Sequence, residues 1–130
     1  MLVIGLAGGT APSREAIASR IHDSARVQTV VWALLGDRLH DGRARTLARS
    51  LERGQSVAPV MILSHVLTEE EAVVIRAHGG HVWHVFGPVS SAVVIRHGDL
   101  RVTQTEGGDR HWLDPIEALS ESLLIKAREA

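Results

Sequence analysis

Cysteine is absent from the 130 residues, which removes disulfides, thiolate nucleophiles and sulfur-ligated zinc from consideration. Tyrosine is absent too, and three tryptophans with one phenylalanine make a poor platform for stacking the bases of single-stranded nucleic acid. Charge of one sign is also lacking: 14 basic against 15 acidic residues leave a formal net charge of −1, so no global field draws the chain to nucleic acid or to an anionic membrane. No apolar run approaches the ~20 residues that span a bilayer. The opening Met1-Leu-Val-Ile-Gly-Leu-Ala-Gly-Gly has no basic segment, and its apolar stretch is short for a signal peptide. A soluble, cytoplasmic chain is therefore expected. Lysine is confined to Lys126, with arginine supplying every other cation, a bias that reads as coding preference rather than as a binding requirement.

What is present is the ordinary material of a globular domain, 45% apolar and 22% charged, at a length that suits one domain over 1–130. Residues 2–7 form an apolar run of the kind a buried parallel strand shows. A small-residue loop follows, Gly8-Gly9-Thr10-Ala11-Pro12-Ser13, then a short helix from Arg14 to His22 with Ile17 and Ile21 four apart and Ser13 as its N-cap. Val27–Leu35 reads as a second strand, although its Ala33-Leu34-Leu35 end would also suit a helix. Over Asp41–Arg53, Ala44, Leu47, Ala48 and Leu51 line one side of a helix that Gly54 would end. Val57–Ser64 is again strand-like, with Pro59 near its start. Thr68 and Glu71 make a capping box for a helix running to His78, and His81–Phe86 is the next strand. Ala92–Arg96 and Leu100–Thr105 flank Gly98-Asp99 and predict a hairpin. Asp114, Pro115 and Glu117 open a final helix with Ile116, Leu119, Leu123 and Ala127 on its apolar face. The alternation predicts a three-layer α/β/α sandwich with a mainly parallel sheet, plus a β-hairpin and a C-terminal helix.

A glycine-bearing loop between a first strand and first helix is where α/β proteins hold phosphate, because free N–H groups and the helix dipole both favour an anion there. Gly5, Gly8 and Gly9 do not have G-x-G-x-x-G spacing. Against G-x-x-x-x-G-K-[ST], Gly8 takes the first glycine, Ser13 the second, Arg14 the lysine and Glu15 the hydroxyl position. With Ile4-Gly-Leu-Ala-Gly at one end and VMILSHVLTEEEAVVIRAHGGHVW from Val60 onward at the other, the chain resembles phage and bacterial deoxynucleoside monophosphate kinases, a branch of the P-loop nucleotide kinases. Ile62, Ser64, Val66, Glu71, Ala72, Ile75, Arg76, Gly79 and Gly80 stand at matching positions of that family's second motif without a gap. The resemblance implies a P-loop kinase-like fold, a nucleotide site at Gly8, Gly9, Thr10, Ser13, Arg14 and His65, ATP with a deoxynucleoside monophosphate and Mg²⁺ as ligands, and a phage-encoded origin.

The departures fall where the chemistry would be. The family's aspartate and arginine after the third strand are His65 and Leu67 here, the loop lysine is Arg14, the Mg²⁺-binding hydroxyl is Glu15 and the second loop glycine is Ser13. Phosphoryl transfer relies on positioning and on positive charge around the transferring group. Arginine is bulkier and forked where lysine is a point charge, and Glu15 would place a carboxylate against the helix end the phosphates need. Pro12 removes an N–H donor. Several such losses together predict a catalytically degenerate, kinase-like pseudoenzyme. It would act by binding a protein partner, a second copy of itself or a nucleotide, with no nucleic acid or membrane partner and no catalytic residue. The alternative is an active deoxynucleoside monophosphate kinase in which Arg14 clamps phosphate, Glu15 holds Mg²⁺ and His65 lies near the acceptor.

Other constellations have blander readings. His78, His81 and His84 are spaced by three, but three apart on a strand places His81 and His84 on opposite faces, so no metal site is expected. His65 ends a central strand at the carboxyl edge, where open α/β sheets bind ligands. Arg45, Arg49 and Arg53 form a solvated stripe. Arg96, His97 and Arg101 would decorate the hairpin. Asp109, Arg110, His111 and Asp114 form a polar loop, and Trp32, Trp83 and Trp112 are core or interface anchors.

Overall fold

A computed structural model describes residues 1–33, 40–53 and 58–129. In chain order the elements are β1 (Leu2–Gly8), α1 (Ala11–Ser24), β2 (Thr29–Trp32), α2 (His40–Arg53), β3 (Val60–Leu63), α3 (Glu69–Ala77), β4 (His81–Val85), β5 (Leu100–Val102) and α4 (Pro115–Glu129). The strands lie in the order β2-β3-β1-β4-β5, and every pairing is parallel. Predicted strand residues at Leu34, Leu35 and Val57, and the helix terminator Gly54, lie outside the described residues.

Strand alternation divides the core in two. Leu2, Ile4 and Leu6 of β1 meet Ile17, Ala18 and Ile21 of α1 and Ala118 and Leu119 of α4 on one face. On the other, Val3 and Ala7 meet Leu47 and Leu51 of α2 and Ala72 and Ile75 of α3. Helices therefore cover both faces of an all-parallel sheet, the arrangement such sheets require. Trp83 is fully buried with its indole N–H donated to Ser122 Oγ at 3.0 Å.

Three local expectations are corrected. Helix α1 begins three residues before Arg14, and its N-cap is Thr10, not Ser13. Thr10 Oγ1 accepts the Ser13 N–H at 3.2 Å while Ser13 Oγ accepts the Thr10 N–H at 3.0 Å, a reciprocal box that two hydroxyl residues three apart can close. Pro12 thus sits in the first helical turn, where an N–H has no intrahelical partner in any case. At α3, Thr68 Oγ1 accepts the Glu71 N–H at 3.2 Å as predicted, but the Glu71 carboxylate is drawn to Arg43.

The hairpin does not form. Residues 92–96 contain no strand, and β5 runs parallel to β4 with Trp83 opposite Leu100 and Val85 opposite Val102. Gly98 does take a left-handed φ of 93°, in a turn closed by Asp99 N–H on Arg96 O at 3.0 Å. That turn ends a crossover over 86–99, the length a parallel connection needs. Burial of Val93 in the α2/α3-side core and capture of Asp99 by Arg76 and His84 hold the segment across the sheet instead of alongside β5.

Gly5 lies where α3 crosses β1 most closely: a Cβ there would stand 2.5 Å from Ile75 Cδ1 and 2.7 Å from Val66 Cγ2. Gly5→Ala is therefore expected to cost about 1–3 kcal/mol by overpacking, read as a lowered urea midpoint with unchanged m-value.

Candidate functional site

Adjacent strands β1 and β3 send their connections to opposite faces: β1 leads into α1 on one side and β3 into α3 on the other. The crevice beyond their carboxyl ends is a topological switch point, the place where open α/β sheets take ligands. Gly8, Gly9 and Arg14 line an open cleft of about 360 Å³ there, together with Val66, Leu67 and residues 88–92.

Gly8 and Gly9 both have positive φ, 74° and 61°, which brings the chain off β1 directly into α1. Arg14, one turn into α1, is buried and points back under the loop. Its Nη1 donates to Gly8 O at 2.7 Å and its Nε donates to His65 Nδ1 at 3.2 Å. Since Arg14 can only donate, the bond assigns His65 Nδ1 as an acceptor and puts the ring proton on Nε2. Nε2 stands 3.3 Å from Glu15 Oε1, whose side chain is 61% exposed. Both imidazole nitrogens are thus engaged, leaving no free ring nitrogen to act as a base. Burial, then the charge of Arg14, lowers the His65 pKa below the ordinary imidazole value, with Glu15 opposing and Arg43 adding to the shift. Burial likewise lowers Arg14, with Glu15 opposing; an arginine remains protonated.

The expected site residues are therefore only partly convergent. Gly8, Gly9 and Arg14 meet at the cleft and His65 lies behind it, whereas Thr10 and Ser13 close on each other. The loop N–H groups that would cradle a phosphate have partners inside the protein. Gly9 N donates to Pro88 O at 2.8 Å, Thr10 N to Ser13 Oγ, Ser13 N to Thr10 Oγ1 and Arg14 N to Thr10 O at 3.0 Å.

Arg43 is the residue the sequence reading passed over. Its side chain is 1% exposed. Its Nε donates to Glu71 Oε1 at 2.7 Å, and its Nη2 donates to Glu71 Oε2 at 3.2 Å and to His65 O at 3.0 Å. The signal was its spacing, four before Leu47 and eight before Leu51, which places it on the buried face of α2. Arg45 and Arg49 are exposed, as expected of a solvated stripe, and the Arg53 side chain lies outside the described residues. His84 Nε2 donates to Asp99 Oδ2 at 2.8 Å on the α3 face, while His81 lies on the opposite face of β4. Among the described residues no group of three or more His, Asp or Glu side chains is placed to hold a metal ion. Arg96, His97 and Arg101 do not gather on a hairpin: Arg96 stands 3.7 Å from Glu69, and Arg101 lies in β5. Trp112 meets Phe86 edge-on at 5.0 Å. No family model, curated protein or solved structure matches this chain.

Two outcomes follow from this geometry. The unfolded chain takes up a proton near the ordinary imidazole pKa of about 6.5, while folded His65 resists it to lower pH, so the unfolded state binds more protons in that window. Stability should fall as pH drops below about 6.5 and level off below the lowered pKa. His65→Gln should flatten this slope in urea melts across the window, with a residual slope from His81, whose pKa is also lowered by burial. Arg43→Met should cost about 3–5 kcal/mol by leaving Glu71 buried without its cation. Arg43→Met combined with Glu71→Leu should recover much of that loss in the same denaturation assay.

Proposed function

We propose that this chain is a reduced P-loop-kinase-like domain that works by binding and does not transfer phosphate. The observation that carries the reading is the posture of Arg14. The one cation at the loop's lysine position is turned inward onto Gly8 O and His65 Nδ1. Swinging outward to clamp a triphosphate would break both contacts. It would also leave a carbonyl and an imidazole unsatisfied in a buried setting, each a cost of about 1–3 kcal/mol. Glu15 adds a negative charge close by, and a phosphate entering the cleft would meet loop N–H groups already engaged. A protein partner, a second copy of the chain or a nucleotide held without turnover remains the bound species in this reading, in the cytoplasm of a bacterium or phage-infected cell. No helix of the described residues is long and apolar enough to cross a membrane.

The rival reading, a working deoxynucleoside monophosphate kinase, draws on one observation, the convergence of Arg14 and His65 at the switch-point crevice. It would require Arg14 to swing outward on binding ATP and Mg²⁺.

Calorimetric titration of the folded protein with ATP, dATP and the four deoxynucleoside monophosphates in Mg²⁺, followed by a coupled assay for ADP release, separates the two. The expected outcome is no phosphoryl transfer with any pair, and no change in any nucleotide heat on Arg14→Ala. Turnover abolished by Arg14→Ala, with the fold intact by circular dichroism, would replace this reading with the kinase.

A further inference from the structure

A second cavity lies between the 86–99 crossover and the outer strands of the sheet, and it adjoins the first cleft at Gly8, Val89 and Ser90. Register pairs His84 with Arg101, so both side chains stand on the α2/α3 face of the sheet. Strand β5 is an edge strand, and α3 packs against β1 and β4, so the crossover and not a helix lies beside Arg101, which stays exposed at the rim. The space enclosed is about 210 Å³, and Val85, Val89, Ile95 and Trp112 line it beside Ser90 and Arg101. Its apolar lining is unusually open to solvent: Val89 is 76% exposed and Ile95 43%.

The charge inside this cavity is uncompensated. Among the described residues Arg101 makes no side-chain hydrogen bond or ion pair. The acid nearest in sequence, Asp99, is engaged by Arg76 Nη2 at 2.7 Å and His84 at 2.8 Å. Burial alone would raise the Asp99 carboxyl, yet His84, the Arg96 N–H and Arg76 hold it below the ordinary carboxylate range, so it stays ionised on those partners. Ser90 Oγ accepts the N–H groups of Ala92 and Val93, which leaves its hydroxyl hydrogen free to donate. An apolar hollow with a free guanidinium and a hydroxyl donor is complementary to a ligand with one apolar body and one anionic group. Size narrows the class further, since a dry cavity of about 150 Å³ already accommodates benzene.

We propose that the cavity under the 86–99 crossover binds a small monocyclic carboxylate. Its ring lies among Val89, Ile95 and Trp112, and its carboxylate is held by Arg101 and the Ser90 hydroxyl. The cavity shares Gly8, Val89 and Ser90 with the crevice at the end of β1, and Arg101, Ile95 and Trp112 are the residues that belong to it alone.

The test is a ¹⁵N–¹H correlation titration of the full chain with phenylacetate and with its uncharged counterpart phenylacetamide. Saturable shifts are expected for phenylacetate, at the about millimolar affinity open to a ligand this small, at Gly87, Ile95, Arg101 and the Trp112 indole. Arg101→Met, on an exposed position of an edge strand, should weaken phenylacetate about tenfold, to the level of phenylacetamide, for loss of one charge-assisted contact. Ile95→Phe, which fills the cavity and keeps Arg101, should abolish the shifts. Absence of saturable shifts, shifts centred instead on Gly9, Arg14 and Leu67, equal affinity for the amide, or indifference to Arg101→Met would each overturn the proposal.

Discussion

Arg43 carries a full positive charge into the interior, and taking such a charge out of water costs several kcal/mol unless its hydrogens are met. They are met by both carboxylate oxygens of Glu71 and by the carbonyl of His65. Glu71 in turn accepts from Thr68 Oγ1 at 3.0 Å and from Leu67 N at 3.4 Å. Helix α2, the first turn of α3 and the segment after β3 are thereby fastened to one another through a single guanidinium. A buried ion pair is weak evidence of net stability, since an apolar replacement of both partners often does as well. What this pair does fix is position. Once the His65 backbone is held by Arg43, its ring has one place to be, and Arg14 and Glu15 arrange themselves around it. The path Arg43–His65–Arg14–Gly8 runs through the crevice from the α2/α3 layer to the α1 layer.

That path turns the polar groups of the crevice inward, at a location where open α/β sheets take ligands. Free N–H groups and an outward cation make a helix N-terminus attractive to phosphate. Here the cation faces inward, and the N–H groups of Gly9, Thr10, Ser13 and Arg14 have internal acceptors. The contrast with Arg101 is instructive. Arg14 is buried with its Nε and Nη1 engaged, while Arg101 is exposed, unpartnered among the described residues and set beside an apolar wall. Charge available to a ligand has in effect been placed on β5 rather than at the end of β1.

The parts of the fold that were legible in the sequence are those fixed by local chemistry. Continuous apolar runs announced β1 and β3, and Thr68 and Asp114 announced the helices that follow them, Asp114 Oδ1 accepting the Ile116 N–H at 2.7 Å. What escaped depends on partners distant in the chain. Gly98-Asp99 looks like a hairpin turn locally, and it becomes the end of a crossover only because Asp99 is claimed by Arg76 and His84. Thr10 and Ser13 are both good caps, and which one starts the helix is settled by their mutual bonds. The Arg14–His65 contact joins residues 51 apart and exists only because β3 lies next to β1. A charged residue at a buried helical position, as Arg43 is, can be suspected from its spacing, but its partner cannot be named without the packing of α2 on α3.

The same distinction bears on the resemblance to deoxynucleoside monophosphate kinases. Of the residues that carry it, Ile62, Val66, Ala72 and Ile75 are core residues here. Gly80 has no room for a Cβ, which would stand 2.7 Å from Val3 O and 2.9 Å from Ile75 O. Glu71 holds Arg43, and Arg76 holds Asp99. Each has a structural task in this chain that does not involve a nucleotide. The positions that differ from the family pattern, Ser13, Arg14, Glu15, His65 and Leu67, cluster at or around the crevice. The matching residues would persist wherever this packing persists, whatever the crevice does, because altering them opens voids, clashes or unpaired charges. They therefore argue for a scaffold and are silent on a reaction. The chemistry has to be read from Arg14, Glu15 and His65, whose polar groups are turned toward one another.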